Sequence, residues 1–169
     1  MNTYTENTRE IPIIADVDVL VCGGGPAGVG AAIRAGHMGA DVLIIEALDC
    51  LGGIATAGMM SHWTGHSSSK ILSEIYKRSY EKCRILGYDD KNGCSDITIN
   101  QEVLKIVLDE MAEEAGVKTL FYTLVCDAVT ENGRITGVIV QNKSGRGFIK
   151  AKYVIDATGD GDVAAAAGV

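Results

Sequence analysis

The chain has 169 residues, 47% apolar and 22% charged, with 15 Lys and Arg against 22 Asp and Glu. At this length one domain buries about 70% of the surface its unfolded chain exposes, so a core forms without metal or disulfide staples. The net charge of -7, with no clustered Lys and Arg, excludes a nucleic-acid partner. No apolar run reaches membrane-spanning length, and the start MNTYTENTREIPIIAD lacks the basic-then-apolar layout of a signal peptide.

A cytoplasmic protein is therefore expected, with residues 1–15 as a polar arm. Val17 to Cys22 (VDVLVC) reads as a buried strand, Pro26 to Met38 as a helix rich in Ala and Gly, and Val42 to Glu46 (VLIIE) as a second apolar strand. Strand, glycine turn, helix and strand make a βαβ unit, so the two strands should lie side by side and parallel. Ala47 to Ser69 shows no clean period and is expected to be an ordered loop with at most a short helix.

Helical spacing returns from Lys70 to Leu86 through Ile71, Ile75, Cys83 and Leu86. A further helix from Asn100 to Ala115 places Val103, Leu104, Val107, Leu108 and Met111 on one face. Gly116 is placed to stop it, and Asn100, or Thr98 with Gln101, to cap its start. The period then changes to two. Lys118 to Tyr122 is a short strand; Leu124 to Thr130, Arg134 to Gln141 and Gly147 to Lys150 read as an antiparallel meander. Asn132-Gly133 and Ser144 to Gly147 supply its turns, and Tyr153 to Ala157 closes the series as another buried strand. The expected fold is α/β and Rossmann-like: a parallel sheet with a three-stranded antiparallel β-meander crossover, filling residues 16–169.

Gly23, Gly25 and Gly28 form G-x-G-x-x-G directly between strand and helix, and Glu46 ends the second strand at the distance a ribose-binding acid requires. Gly23 permits the tight turn, Gly25 lets the backbone approach a pyrophosphate, and Gly28 brings helix and strand together. The helix start near Pro26 favours negative charge, and a carboxylate at Glu46 repels a 2′-phosphate, which disfavours NADP. This fingerprint does not separate FAD from NAD.

With LGGIATAG after the acid, LKIVLDEMAEEAGVKTLFYTLV, and KYVIDATGDGDVAA near the end, the sequence resembles the FAD-dependent oxidoreductases of the glutathione reductase-like superfamily. The resemblance is to the group called FAD_oxidored in particular, and it spans the chain from Asp16 onward. It implies FAD as cofactor, with Gly23, Gly25, Pro26, Ala27 and Gly28 at the pyrophosphate and Glu46 at the adenosine ribose. It places Gly52, Gly53 and Thr56 along the ribityl chain, Val125 at the adenine edge, and Ala157, Thr158 and Gly159 as a second turn against the cofactor.

The resemblance also implies a small-molecule substrate whose binding domain lies beyond this stretch. The chain would then be a C-terminally incomplete FAD-binding portion that self-associates as a homo-oligomer or lacks a C-terminal part. No residue is assigned a catalytic role. An NAD-dependent dehydrogenase domain and a non-catalytic nucleotide-binding subunit or truncated product are the competing readings.

Five cysteines, an odd count with no C-x-x-C pair, are expected to be reduced thiols. The disulfide reductases of the superfamily carry a redox pair where LGGIATAGMM stands here, so dithiol chemistry is not expected. His62 and His66 are four apart, but Gly65 and the serines after it break a helix and no third ligand is evident; no metal is expected. His62, Trp63 and His66 read as an ordinary ordered loop, the alternative being a loop that faces a substrate or the flavin edge. Asp160 and Asp162 read as helix caps, with binding of a solvent-bridged phosphate as the alternative.

Overall fold

The computed structural model describes residues 3–5, 7–60, 62, 69–89, 91, 93–95 and 98–169. Its centre is strand β1 (Ile13–Cys22), which runs parallel to β2 (Val42–Ile45) through Val19↔Val42 to Cys22↔Ile45. All four residues of β2 are buried, the signature of a parallel strand covered on both faces. Helix α1 (Pro26–His37) makes the connection between them. Helices α2 (Lys70–Ile85) and α3 (Gln101–Glu114) intervene before β3 (Lys118–Leu120), which adds in parallel to β2.

The antiparallel half follows as β4 (Leu124–Glu131), β5 (Arg134–Asn142) and β6 (Gly145–Asp156), and the chain ends in the short α4 (Asp162–Ala166). The six strands form one sheet in the order β3-β2-β1-β6-β5-β4. At the β4–β5 hairpin, Asn132 and Gly133 both have positive φ, 51° and 74°, as a two-residue primed turn demands.

Two expectations are corrected here. Gly147 to Lys150 and Tyr153 to Ala157 are not separate strands: Ala151 and Lys152 continue the extended chain, so the last meander strand and the last parallel strand are one. It pairs with β5 from Gly145 to Lys150 and with β1 from Phe148 to Asp156, so Phe148 to Lys150 lie between the two partners. The stretch beyond the last β5 pairing is also not fully buried, since Tyr153 is 64% exposed. The other correction is at the N-terminus, where β1 starts at Ile13 because Ile13 and Ala15 pair with Phe148 and Ile149; the last residues of the polar arm therefore join the sheet.

Each sheet face has its own core. Val21, Val42 and Ile44 pack under α1, α2 and α3 with Ile33, Val103, Leu104, Val107 and Leu108. On the other face Leu20, Cys22, Leu43 and Ile45 meet Val138, Val140 and Ile149 of the meander and Val163 of α4. Local signals set the helix ends. The Asn100 carboxamide oxygen accepts from the Glu102 and Val103 N–H groups at 3.0 and 3.2 Å, Ser69 caps α2, and Gly116 follows α3 at φ 71°. Among the described residues no helix is long and apolar enough to cross a membrane.

Candidate functional site

The tips of β1, β2 and β6 converge on the first glycine turn. Gly23 (φ 104°) donates its N–H to the Ile45 carbonyl at 2.9 Å, and Ala157 donates to the Cys22 carbonyl at 2.8 Å. A Cβ at Gly23 would fall on the Ala157 carbonyl and lie 2.9 Å from the Thr158 nitrogen; a Cβ at Gly28 would fall on the Gly23 carbonyl oxygen. Both positions exclude side chains because backbone meets backbone there. Gly25 differs: its φ is -67°, and a Cβ would find nothing within 4 Å. The space beside it is open.

Pro26 occupies the first turn of α1, and the first helical hydrogen bond runs from Val29 N–H to the Gly25 carbonyl. The Ala27 and Gly28 N–H groups precede that bond, and no acidic residue stands in the first turn. An anion is favoured at such an end by both the N–H groups and the helix dipole.

Glu46, 8% exposed, stands across the turn. Its Oε2 accepts from Gly24 N–H at 2.6 Å and its Oε1 from Leu48 N–H at 2.8 Å. Two charge-assisted bonds fix the carboxylate, and lone pairs on both oxygens remain to receive a vicinal diol. Backbone bonds from Glu46 N–H to the Leu120 carbonyl and from Thr123 N–H to the Glu46 carbonyl bring the start of β4 beside the acid. Val125, half-buried, follows two residues after Thr123.

The 52–56 loop is sewn to the same turn, Gly52 donating to the Gly24 carbonyl at 2.7 Å. A Cβ at Gly53 would sit 3.0 Å from the Gly25 Cα, so this glycine allows two loops to pass in contact. Gly53–Ala55 form one 3-10 turn. Thr56 is turned inward: it is 1% exposed and its hydroxyl donates to the Leu51 carbonyl at 2.6 Å, so its side chain shapes the loop from within.

Asp156, which the sequence reading passed over, organises the second turn. Its Oδ1 accepts from the Thr158 hydroxyl at 2.7 Å and its Oδ2 from Ala164 N–H at 2.9 Å. The Thr158 hydroxyl in turn accepts from Gly161 and Asp162 N–H. The start of α4 is therefore satisfied by Asp156 and Thr158 rather than by the expected Asp160 and Asp162, which flank Gly161, the N-cap residue. Gly159 (φ 92°) lets the chain turn back over these groups. Desolvation pushes the Asp156 carboxyl up, but the bonds from Ala164, Thr158 and Val163 outweigh it and hold its pKa below the usual range. Burial, then the Asp156 charge, push the neighbouring Cys22 thiol up to about 12, so that thiol is inert.

The structure thus gathers Gly23, Gly25, Pro26, Ala27, Gly28, Glu46, Gly52, Gly53, Ala157 and Thr158 around one turn. Gly24 was missed because G-x-G-x-x-G leaves its position unspecified, and Asp156 because its partners lie up to eight residues away in a helix not yet formed. Trp63 and His66 lie outside the described residues, while His62 makes an isolated antiparallel bridge with Thr98. Among the described residues no group of three or more His, Cys, Asp and Glu could hold a metal ion. The expectation of five reduced thiols is overturned: Cys83 and Cys94 form a disulfide with Cα atoms 6.1 Å apart, and Cys22, Cys50 and Cys126 are free. Their spacing matches no short motif, and folding alone brings them together.

An open, anion-receptive glycine turn facing a buried, oriented carboxylate fits a dinucleotide: the turn suits the pyrophosphate and the acid suits a ribose. Comparison with known proteins agrees. Residues 18–169 match the family model described as FAD dependent oxidoreductase. Thiamine thiazole synthases of Aeropyrum pernix and Methanococcus aeolicus are 32% and 33% identical, over 84% and 85% of this chain and 54% and 55% of theirs. The chain thus spans about half the length of these curated relatives. In structure, Thermovibrio ammonificans THI4 superposes with a TM-score of 0.66 at 21% identity, covering 89% of this chain and 61% of that one. A geranylgeranyl bacteriochlorophyll reductase-like protein from Thermoplasma acidophilum gives 0.64 at 22% identity, covering 92% and 42%. These two share the fold. With the family model matched along nearly the whole sheet and across both glycine turns, the chain belongs to the FAD dependent oxidoreductase family and carries its FAD-binding portion.

Proposed function

We propose that this chain binds FAD through the turn at Gly23, Gly25, Pro26, Ala27 and Gly28 with Glu46 on the adenosine ribose, as part of an oxidoreductase acting on a small-molecule substrate. Val125 is assigned to the adenine edge, the backbone of Gly52, Gly53 and Thr56 to the ribityl path, and Ala157, Thr158 and Gly159 to the inner face of the cofactor. The flavin, when bound, supplies the redox chemistry; the chain's own residues bind and orient it. The observation that carries the reading is the pairing of Gly25, open on its outer side, with Glu46, whose carboxylate is already fixed by Gly24 and Leu48.

Gly25→Val tests it directly. The backbone at Gly25 tolerates a side chain and the protein leaves room for one, so the variant should fold normally while its side chain fills the pyrophosphate's place. FAD titration followed by flavin fluorescence should show affinity falling at least about tenfold, or ~1.4 kcal/mol. Unchanged FAD affinity in that variant, or binding of NAD with no binding of FAD by the parent chain, would sink the assignment.

We also infer that the chain self-associates or is completed by further polypeptide. Supporting this, among the described residues β6 from Ala151 to Asp156 has strand pairing only with β1, and Ile13, Ile14 and Tyr153 are exposed apolar residues on these two strands. A cytoplasmic location is inferred from the three free thiols. There the Cys83–Cys94 bond meets a pool of small thiols.

A further inference from the structure

The Cys83–Cys94 bond joins the last turn of α2 to the segment that leads into α3. The two residues are 2% and 4% exposed, yet both line a surface cavity of about 400 Å³ with Tyr80, Arg84, Tyr88, Asp89 and Lys91. The volume lies in the range of small-molecule sites. Arg84 and Lys91 form no ion pair with any described residue, whereas Lys82, one helical position from Cys83, is spent on Glu110 at 2.6 Å. Among the described residues that line the cavity, two cations stand against one acid beside the disulfide. Attack on a disulfide requires a thiolate, which a positive surface concentrates, and still more a thiolate carrying carboxylates.

We propose that Cys83–Cys94 is a thiol–disulfide exchange site for a small anionic thiol of the glutathione class. One such thiolate attacks a sulfur of the pair, forming a mixed disulfide and expelling the other cysteine as a thiolate that takes up a proton. A second small thiolate attacks the mixed disulfide at the small molecule's sulfur and releases the remaining cysteine, which is protonated in turn. Two electrons pass from two small thiols to the pair, leaving a protein dithiol and the small-molecule disulfide.

The bond also closes the span from Cys83 to Cys94, across which Tyr88 N–H bonds the Cys83 carbonyl and Cys94 N–H the Asp89 carbonyl. Beyond Cys94 the chain continues through Ser95, bonded to Thr98, to the His62–Thr98 bridge and to Gln101, whose side chain donates to the Met59 carbonyl. The redox state of the pair thus acts on an anchor of the loop that follows Gly52–Thr56.

The full chain, equilibrated with oxidised glutathione, quenched in acid and alkylated in denaturant, should take up three alkyl groups, against five when fully reduced, with a Cys83–Cys94 crosslinked peptide in the digest. Reopening is then timed with glutathione and with cysteamine, a cationic thiol, at equal thiolate concentration. Glutathione should be faster by at least about fivefold, and Lys91→Glu and Arg84→Glu, each checked for folding by circular dichroism, should narrow or reverse the order. The proposal is overturned if oxidised glutathione yields no crosslink, if the two thiols react within about twofold of each other, or if both charge reversals leave the order intact.

Discussion

Asp156 shows how much one side chain can organise without appearing in any motif. Its two oxygens serve the Thr158 hydroxyl and the Ala164 N–H, so the second turn and the start of α4 hang on one carboxylate. Its pKa is lowered in the folded chain from the ordinary aspartate value of about 3.9. A depressed carboxylate contributes stability that is fully present above the unfolded pKa and is lost as pH falls through the folded one. Urea midpoints measured from pH 6 downward should therefore fall below about pH 4 in the parent chain. Asp156→Asn should start lower at pH 6 and show a shallower acid slope; an identical slope would remove Asp156 from the account. Glu46 makes the complementary point. The acid was legible from its distance to the glycines, but the two N–H donors that aim it were not, because one comes from a glycine the motif ignores and the other from the loop it begins.

Helix α1 carries glycine for two different reasons, and its contacts separate them. A Cβ at Gly36 would fall on the Ala115 carbonyl oxygen at the end of α3, whereas a Cβ at Gly30 would meet nothing within 4 Å. Alanine in a helix interior is favoured over glycine by about 1 kcal/mol, while forcing an extra carbon into a packed contact costs about 1–3 kcal/mol. Gly30→Ala should accordingly raise the unfolding free energy and Gly36→Ala lower it. Chemical denaturation of the two variants reads the sign of each, and a stabilised Gly36→Ala would mean that α1 and α3 do not approach this closely. The elements themselves were largely readable. Apolar spacing located α1, α2 and α3 to within a residue or two, and Asn132-Gly133 marked the hairpin, because these signals are local. The continuity of β6 was not readable. It pairs with parallel β1 from Phe148 onward, and the expected gap fell where the antiparallel β5 pairing stops after Lys150.

At the scale of the whole molecule, one long strand joins the parallel and antiparallel halves of a single sheet. The meander reaches back across the second face to bury Val138 and Val140 against Leu20 and Leu43. Where β5 ends, the Arg134 guanidinium donates to the Lys152 carbonyl and lies 5.5 Å from the centre of the Tyr153 ring, a partial cover for an otherwise unpaired edge. An edge of this kind, with Tyr153, Ile13 and Ile14 exposed beside it, pairs readily with another chain. Light scattering over a concentration series should show mass above that of the monomer, reduced by Tyr153→Lys; a monomer at every concentration would leave self-association without support.

The sequence by itself determined what depends on neighbours along the chain: the glycine turn between strand and helix, the ribose-facing acid, the helix caps and the hairpin. Only the tertiary structure decided the Cys83–Cys94 bond, the service of Asp156 to α4, the inward turn of Thr56 and the passage of β6 between two partners. Each of these joins groups whose proximity is created by folding, and no period or spacing in a single strand of text encodes a distance that exists only after the core has closed.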